Sequence, residues 1–448
     1  MAEDKTIPSL RGGTTKQPVE ATPSLRVKHS GAKQSVEVTH ALTPKLRFKE
    51  FDGEWGKTTL ERVFTFKNGL NSDKSKYGTG IKFINVLDII NDQLITYDSI
   101  IGKVEVTAKE LEKNEVIYGD ILFQRSSETR EEVGQANVYI DKNKSAVFGG
   151  FVIRGRKKIN YNPYFFNYLL KTSASRKEIT TKSGGSTRYN VGQDSLSQVF
   201  VTFPSLLEQQ KIASFLTAVD EKIQQLTKKK ELLEQYKKGV MQQLFSGKLR
   251  FKDENGSAFP DWEVKTLLEV ASFRRGSFPQ PYGLPEWYYE NGAPFVQVYD
   301  VDDNMLLKPN TKQYISKAAQ KQSVFVKKGT LVLTIQGSIG RLAKTQYDAY
   351  VDRTLLIFQA FKVKIDIDYF KYVVYLLFEI EKTKAPGGTI KTITKEQLSA
   401  FNVNIPSLEE QQKIGNYLSA IDSKIESVNQ QISKTQVFKK GLLQQLFV

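Results

Sequence analysis

Apolar side chains recur at steps of three and four along two stretches of this 448-residue chain. In the first they fall at Ile212, Leu216, Val219, Ile223, Leu226, Leu233, Val240 and Leu244. In the second they fall at Ile414, Leu418, Ile421, Ile425, Val428, Ile432, Leu442 and Leu446. A repeat near 3.5 residues keeps one helix face apolar over many turns, which is the pattern of a coiled coil. Ser205 and Ser407 precede the stretches, each with a glutamate three residues on, Glu208 and Glu410. Each helix is therefore predicted to begin in a capping box, hydroxyl and carboxylate satisfying end N–H groups reciprocally. Lys230, Lys237 and Lys439 interrupt the stripes and are expected to snorkel to water. A run of about 33 residues at 1.5 Å each is about 50 Å long. Neither helix can bury such a stripe alone. Antiparallel pairing with each other is the economical solution, because a long domain must leave the end of one helix and return to the start of the other. Pairing between two copies of the chain is the alternative.

Between and before the helices the pattern changes to short β-branched or aromatic runs bounded by Gly, Asp or Asn. Strands are predicted at Lys82–Val86, Ile121–Gln124, Ala146–Ile153, Pro294–Val298, Thr330–Ile335 and Leu355–Phe361, with helices at Tyr164–Lys171 and Tyr369–Glu381. The chain thus reads as an extension over 1–44, a variable domain over 45–203, a helix over 204–248, a second variable domain over 249–405 and a second helix over 406–448. The predicted class is α/β (α+β) for the two domains, arranged in tandem and separated by the long helices.

The halves are copies. Residues 204–223 read PSLLEQQKIASFLTAVDEKI and residues 406–425 read PSLEEQQKIGNYLSAIDSKI, an offset of 406 − 204 = 202 without a gap. The same offset joins KKGVMQQLF (237–245) to KKGLLQQLF (439–447). More loosely, KSGGSTRYNVGQDSLSQVFVTFPS (182–205) matches APGGTIKTITKEQLSAFNVNIPS (385–407), and KLRFKEFDGEWGKTTLERV (45–63) matches KLRFKDENGSAFPDWEVKTLLEV (248–270). Joining the C-terminus to Lys45 would close a ring of two units, so the repeat is cyclic and implies a pseudo-two-fold arrangement.

Composition narrows the chemistry. The net charge of +16 favours a polyanionic partner, nucleic acid first. There is no Cys, which removes thiolate metal sites, Cys nucleophiles and disulfides. The only two His, His29 and His40, lie in the Pro-, Gly- and Thr-rich extension, which is expected to be disordered. The folded part therefore lacks an imidazole for base, triad or metal-ligand duty. No metal site and no cofactor is expected in this chain. There is no P-loop, and YNPYF (161–165) only brushes against the N-P-P-Y/F motif of adenine methyltransferases; helix opening plus core aromatics is the better reading. No apolar run reaches membrane-spanning length and the N-terminus has no secretory pattern, so a cytoplasmic location without membrane attachment is expected.

Three pairs of loops suit DNA. Lys182, Arg188 and Tyr189 flank Gly184–Gly185, and Lys391 follows Gly387–Gly388; backbone N–H groups beside basic side chains fit phosphates. Arg125 and Arg130 follow one predicted strand, and Gln336, Ser338 and Arg341 follow its counterpart; Arg reads guanine and Gln reads adenine through paired hydrogen bonds. Lys67 sits in FKNGLNSDKSKYG (66–78), and Arg274 and Arg275 in FRRGSFPQPYG (273–283). These loops diverge while the helices agree.

The paired P-S-L-x-E-Q-Q-K-I segments, the K-K-G-x-x-Q-Q-L-F helix ends, G-G-T-I-K-T-I-T-K-E-Q-L and F-P-D-W-E-V-K-T-L (259–267) resemble the specificity subunit of Type I restriction-modification enzymes. The resemblance covers about residues 45–448. It implies two target recognition domains, each contacting one part of a bipartite double-stranded DNA site. The helices would set the spacing and, through Ile212, Leu216, Val219, Ile223, Leu226, Ile414, Leu418, Ile421, Ile425 and Val428, form the antiparallel coiled coil where partners dock. Those partners would be two modification subunits carrying S-adenosylmethionine, joined by restriction subunits using ATP and Mg. The chain itself would be a non-catalytic subunit. A coiled-coil adaptor whose basic domains bind another protein is the competing reading, and a self-contained methyltransferase or nuclease is a further one.

Overall fold

The computed structural model describes residues 25–27, 42–384 and 393–448. They form two compact units. The C-terminal unit is Lys228–Gln430, and the N-terminal unit is the described chain up to Thr227 together with Gln431–Val448. Each long helix, Leu206–Phe245 and Leu408–Gln445, therefore gives one part of its length to each unit.

Each unit holds the same frame. In the N-terminal unit an antiparallel sheet runs, in spatial order, Phe64–Asn68, Val152–Lys157, Ile121–Gln124 and Ala136–Val138. In the C-terminal unit the order is Ala271–Arg275, Leu355–Phe361, Leu331–Thr334 and Leu342–Lys344. A second sheet contains a parallel pair in both: Val147–Phe148 beside Tyr77–Ile84, and Ala349–Val351 beside Tyr288–Val296. The C-terminal unit adds the strand Val324–Val326 to it. A two-stranded ribbon joins the opening of each domain to the segment before its long helix, Gly56–Thr59 with Phe200–Phe203 and Glu263–Thr266 with Asn402–Ile405.

The predicted strands at Ile121–Gln124 and Leu355–Phe361 form with those bounds. The run at 146–153 is instead two strands, because Gly149 and Gly150 turn the chain between Phe148 and Val152. The run at 82–86 straddles the end of one strand and a short helix, Val86–Ile90, capped by Asn85. YNPYF opens a helix, Pro163–Lys171: Pro163 takes the first turn, where its missing N–H costs nothing, and Asn162 caps it. A strand at Leu25–Val27 pairs antiparallel with Leu46–Phe48. Most of the 1–44 extension, His29 and His40 included, lies outside the described residues, as does the second Gly-Gly segment with Lys391.

The apolar stripes of the long helices are buried, but largely in domain cores. Ile212, Leu216 and Val219 pack in the N-terminal unit with Leu442, Leu446, Phe165 and Leu169. Ile414, Leu418 and Ile421 pack in the C-terminal unit with Val240, Leu244, Tyr369 and Val373. Leu226 and Val428 are buried, and Ile223 and Ile425 half-buried. Within the C-terminal unit the helices run antiparallel: Lys237 meets Asp422 and Lys230 meets Asn429. Within the N-terminal unit Lys439 meets Asp220 in the same sense.

Two sequence expectations change here. The glutamates are not spent on capping boxes. Glu208, fully buried, accepts from the Nε and one Nη of Arg47, each at 2.7 Å, and from the indole N–H of Trp55 at 3.4 Å. Glu410 takes Arg250 at 3.1 and 2.8 Å and Trp262 at 2.9 Å. Only the hydroxyl half of the box forms at Ser407, which accepts the Glu410 N–H. Nor do Lys237 and Lys439 snorkel. Each pairs at 2.6 Å with an aspartate, Asp422 or Asp220, that also accepts a tyrosine O–H at 2.6 Å, from Tyr372 or Tyr168. Burial, then the neighbouring aspartate, pushes the Tyr372 phenol up; burial and the bond to Asp220 do the same at Tyr168. These carboxylate clusters tie the domain helices to the long helices within each unit.

Candidate nucleic-acid interface

The candidate surface lies where three loops meet at one end of the central sheet in each unit. In both, a glycine permits the meeting. Gly69 follows Phe64–Asn68, and a Cβ there would lie 2.2 Å from the Gly149 carbonyl oxygen. Gly276 follows Ala271–Arg275, and a Cβ would lie 2.2 Å from the Val351 carbonyl oxygen. The backbone bonds are the same. Gly69 and Leu70 donate to Val152 and Phe148; Gly276 and Ser277 donate to Leu355 and Val351. Arg125 donates its N–H to Phe151, and Ile335 to Thr354.

In the N-terminal unit the two separately predicted loops come together. Ser126–Ser127 pairs antiparallel with Tyr189–Asn190, and the Ser126 hydroxyl donates to the Asn190 side chain. Gly184 bridges Asn190, and Gly185 closes the hairpin with a left-handed φ of 116°. This places Arg125, Arg188 and Tyr189 on one continuous edge. Arg125 is exposed and makes one long contact, 3.4 Å, to the Gly150 carbonyl. Arg188 is exposed and 3.8 Å from a still more exposed Glu128. Such pairs contribute little in water and leave the guanidinium available to a phosphate. Arg130 leans back onto the Thr180 carbonyl at 3.2 Å, and Lys182 caps the helix Ser173–Thr181. Lys67 is half-buried beside a structural cluster of arginines. Burial first, then the charges of Arg154, Lys113 and Arg156, holds its ammonium below the usual lysine range.

In the C-terminal unit Arg274 and Arg275 are exposed at a strand end. They rim a cleft of about 270 Å³ that Ile335, Ile393 and Thr394 also line. Gln336 and Ser338 are exposed on the following turn. Arg341 is held at 2.9 Å by Asp303. The sequence reading missed Arg353, an exposed side chain whose guanidinium stacks 5.2 Å from the Tyr282 ring. Tyr282 donates to the buried Asp352 at 2.9 Å, and Asp352 also accepts from Thr354 at 2.6 Å. Burial and Asp352 push the Tyr282 phenol up. The PYG of 281–283 was the available signal, since an aromatic in a basic, Gly-rich loop serves as a stacking platform. Among the described residues no group of three or more His, Cys, Asp or Glu could hold a metal, and no helix is long and apolar enough to cross a membrane.

Comparisons with known proteins point the same way. The family described as Type I restriction modification DNA specificity domain matches the chain twice, over residues 52–235 and 260–435. The chain is 26% identical over 410 residues to the putative type I restriction enzyme MjaX specificity subunit of Methanocaldococcus jannaschii, across 89% of this chain and 94% of that one. It is 27% identical over 365 residues to the MjaVIII specificity subunit of the same organism, across 77% and 82%. Among solved structures, the type I restriction-modification S subunit from M. genitalium shares the fold, with a TM-score of 0.57 at 17% identity over 91% of this chain and 99% of that chain.

Proposed function

The chain belongs to the Type I restriction modification DNA specificity family, and on that premise we propose that each of its two units reads one part of a split double-stranded DNA site. It is the DNA specificity subunit of a restriction-modification system and works with DNA and the other subunits of that system. The two long helices set the gap between the parts and dock two modification subunits. S-adenosylmethionine and adenine methylation belong to those subunits, ATP and Mg to the restriction subunits, and this chain contributes no catalytic group. It works in the cytoplasm, away from membranes.

One observation supports this most: the same frame, glycine crossing and Glu–Arg–Trp anchor recur in both units, while the residues at the loop edge differ. A shared frame with exchanged edges is what reading two unlike sequences requires, because phosphate contacts position a protein and base contacts specify the site. The reading is tested by inserting one or two helical turns between Leu226 and Tyr236 and mapping methylated adenines with the partner subunits present. The gap should lengthen with both half-sites unchanged. An unchanged gap refutes the role given to the helix.

A further inference from the structure

We propose that Phe151 is an apolar base-reading residue of the N-terminal unit, packing on a thymine methyl or on the face of a partly unstacked base. The inference rests on the reading that this unit binds DNA.

Phe151 is 63% exposed between the buried Gly149 and Val152. Its backbone is pinned on every side. Gly149 donates to Ile84 at 3.0 Å, Val152 donates to Gly149 at 2.9 Å, and Arg125 donates to the Phe151 carbonyl at 2.9 Å. The ring thus stands on a turn whose backbone is already ordered before any ligand arrives, so that binding has only the side chain itself left to order there. Its surroundings are hydrogen-bonding side chains of the kinds that meet base edges. Arg125 reaches the Gly150 carbonyl. Asn71 lies so close to Gly150 that a Cβ there would sit 1.8 Å from its side-chain oxygen. Ser126 and Asn190 are bonded to each other alongside. One ring within a polar rim is far smaller than the apolar patch of a few hundred Å² that a protein partner uses. It matches the mixed donor, acceptor and methyl pattern of a DNA groove, where apolar side chains contact thymine methyls or wedge between bases.

The other unit shows that the fold does not require this ring. There the same turn, with the same backbone bond from Ile335 to Thr354 at 3.0 Å, carries Arg353 and Thr354 instead. The side chain changes while the backbone stays, as a specificity position should.

The test uses the full chain assembled with its modification subunits. Methylated adenines are mapped, and binding to the mapped duplex is measured at fixed salt, for wild type, Phe151→Ala and Phe151→Trp. Phe151→Ala should weaken binding about tenfold, the low end for one base contact, and relax preference within one half-site only. Phe151→Trp should keep the site and add a fluorescence change on duplex addition beyond that of wild type, whose own tryptophans are Trp55, Trp262 and Trp287. Because Phe151 is exposed, both variants should melt as wild type does. Wild-type affinity and an unaltered motif in Phe151→Ala, or a fluorescence response of Phe151→Trp to DNA no different from wild type's, overturn the proposal alone. A wild-type complex with no sequence preference overturns the reading beneath it.

Discussion

The two units share a skeleton and differ at its rim. In the N-terminal unit the chain between the strands Ile121–Gln124 and Ala136–Val138 runs over 125–135 and pairs with a hairpin; in the C-terminal unit the equivalent crossing, 335–341, is a tight turn. Matching backbone bonds place Arg125 against Ile335, exposed against buried, and Phe151 against Thr354. Asn71 is exposed after Leu70, whereas Phe278 is buried after Ser277. Arg275, Gln336 and Arg353 take over the edge there. The anchors show the opposite behaviour. Arg47, Trp55 and Glu208 reappear as Arg250, Trp262 and Glu410, and Tyr168, Asp220 and Lys439 reappear as Tyr372, Asp422 and Lys237. Substitution is therefore free where a loop faces outward and restricted where a carboxylate is shared by several elements.

If that comparison holds, paired variants should behave alike at the anchors. Arg47→Ala and Arg250→Ala each strand a buried glutamate, so each should cost about 3–5 kcal/mol, read as a lowered denaturant midpoint. Arg→Lys should recover only part of it, because one ammonium cannot replace a two-pronged bond. A loss below about 1 kcal/mol, or a loss in one unit alone, breaks the equivalence. Asp220→Asn and Asp422→Asn come next. Each weakens the bonds from a tyrosine and a lysine, at about 1.5–3 kcal/mol by the measure of hydrogen bonds to charged groups. Urea unfolding should show the same loss for both, and a neutral result at either would reduce that cluster to a surface ion pair.

The repeat and the long helices were legible because a 3.5-residue period and an ungapped offset are local patterns. Leu216 and Ile421 are buried as that period requires. The purposes of Glu208 and Lys439 were not legible. Their partners lie far away in the chain, Arg47 and Asp220 among them, so local spacing suggested a cap and a snorkelling lysine instead. The same distance hid the union of the 125–130 loop with the 182–190 segment, which only the pairing of Ser126–Ser127 with Tyr189–Asn190 creates. Phe151 was not legible because a turn pinned by backbone bonds leaves no mark on side-chain pattern, and Arg353 because only its partner Tyr282, in the PYG of 281–283, stands in a loop that the sequence marks. Lys391 lies outside the described residues.

The smallest expected effects are at the rim, and they test the account most directly. Methylated adenines should be sequenced for the assembled complex carrying wild type, Arg125→Ala or Gln336→Ala. Wild type should yield one motif in two specific parts around a non-specific gap. Each substitution should cost about 1–3 kcal/mol of discrimination and relax one part only, a different part for each. A single uninterrupted motif, or one substitution that alters both parts, would contradict the claim that two copies of one frame read two separate sequences.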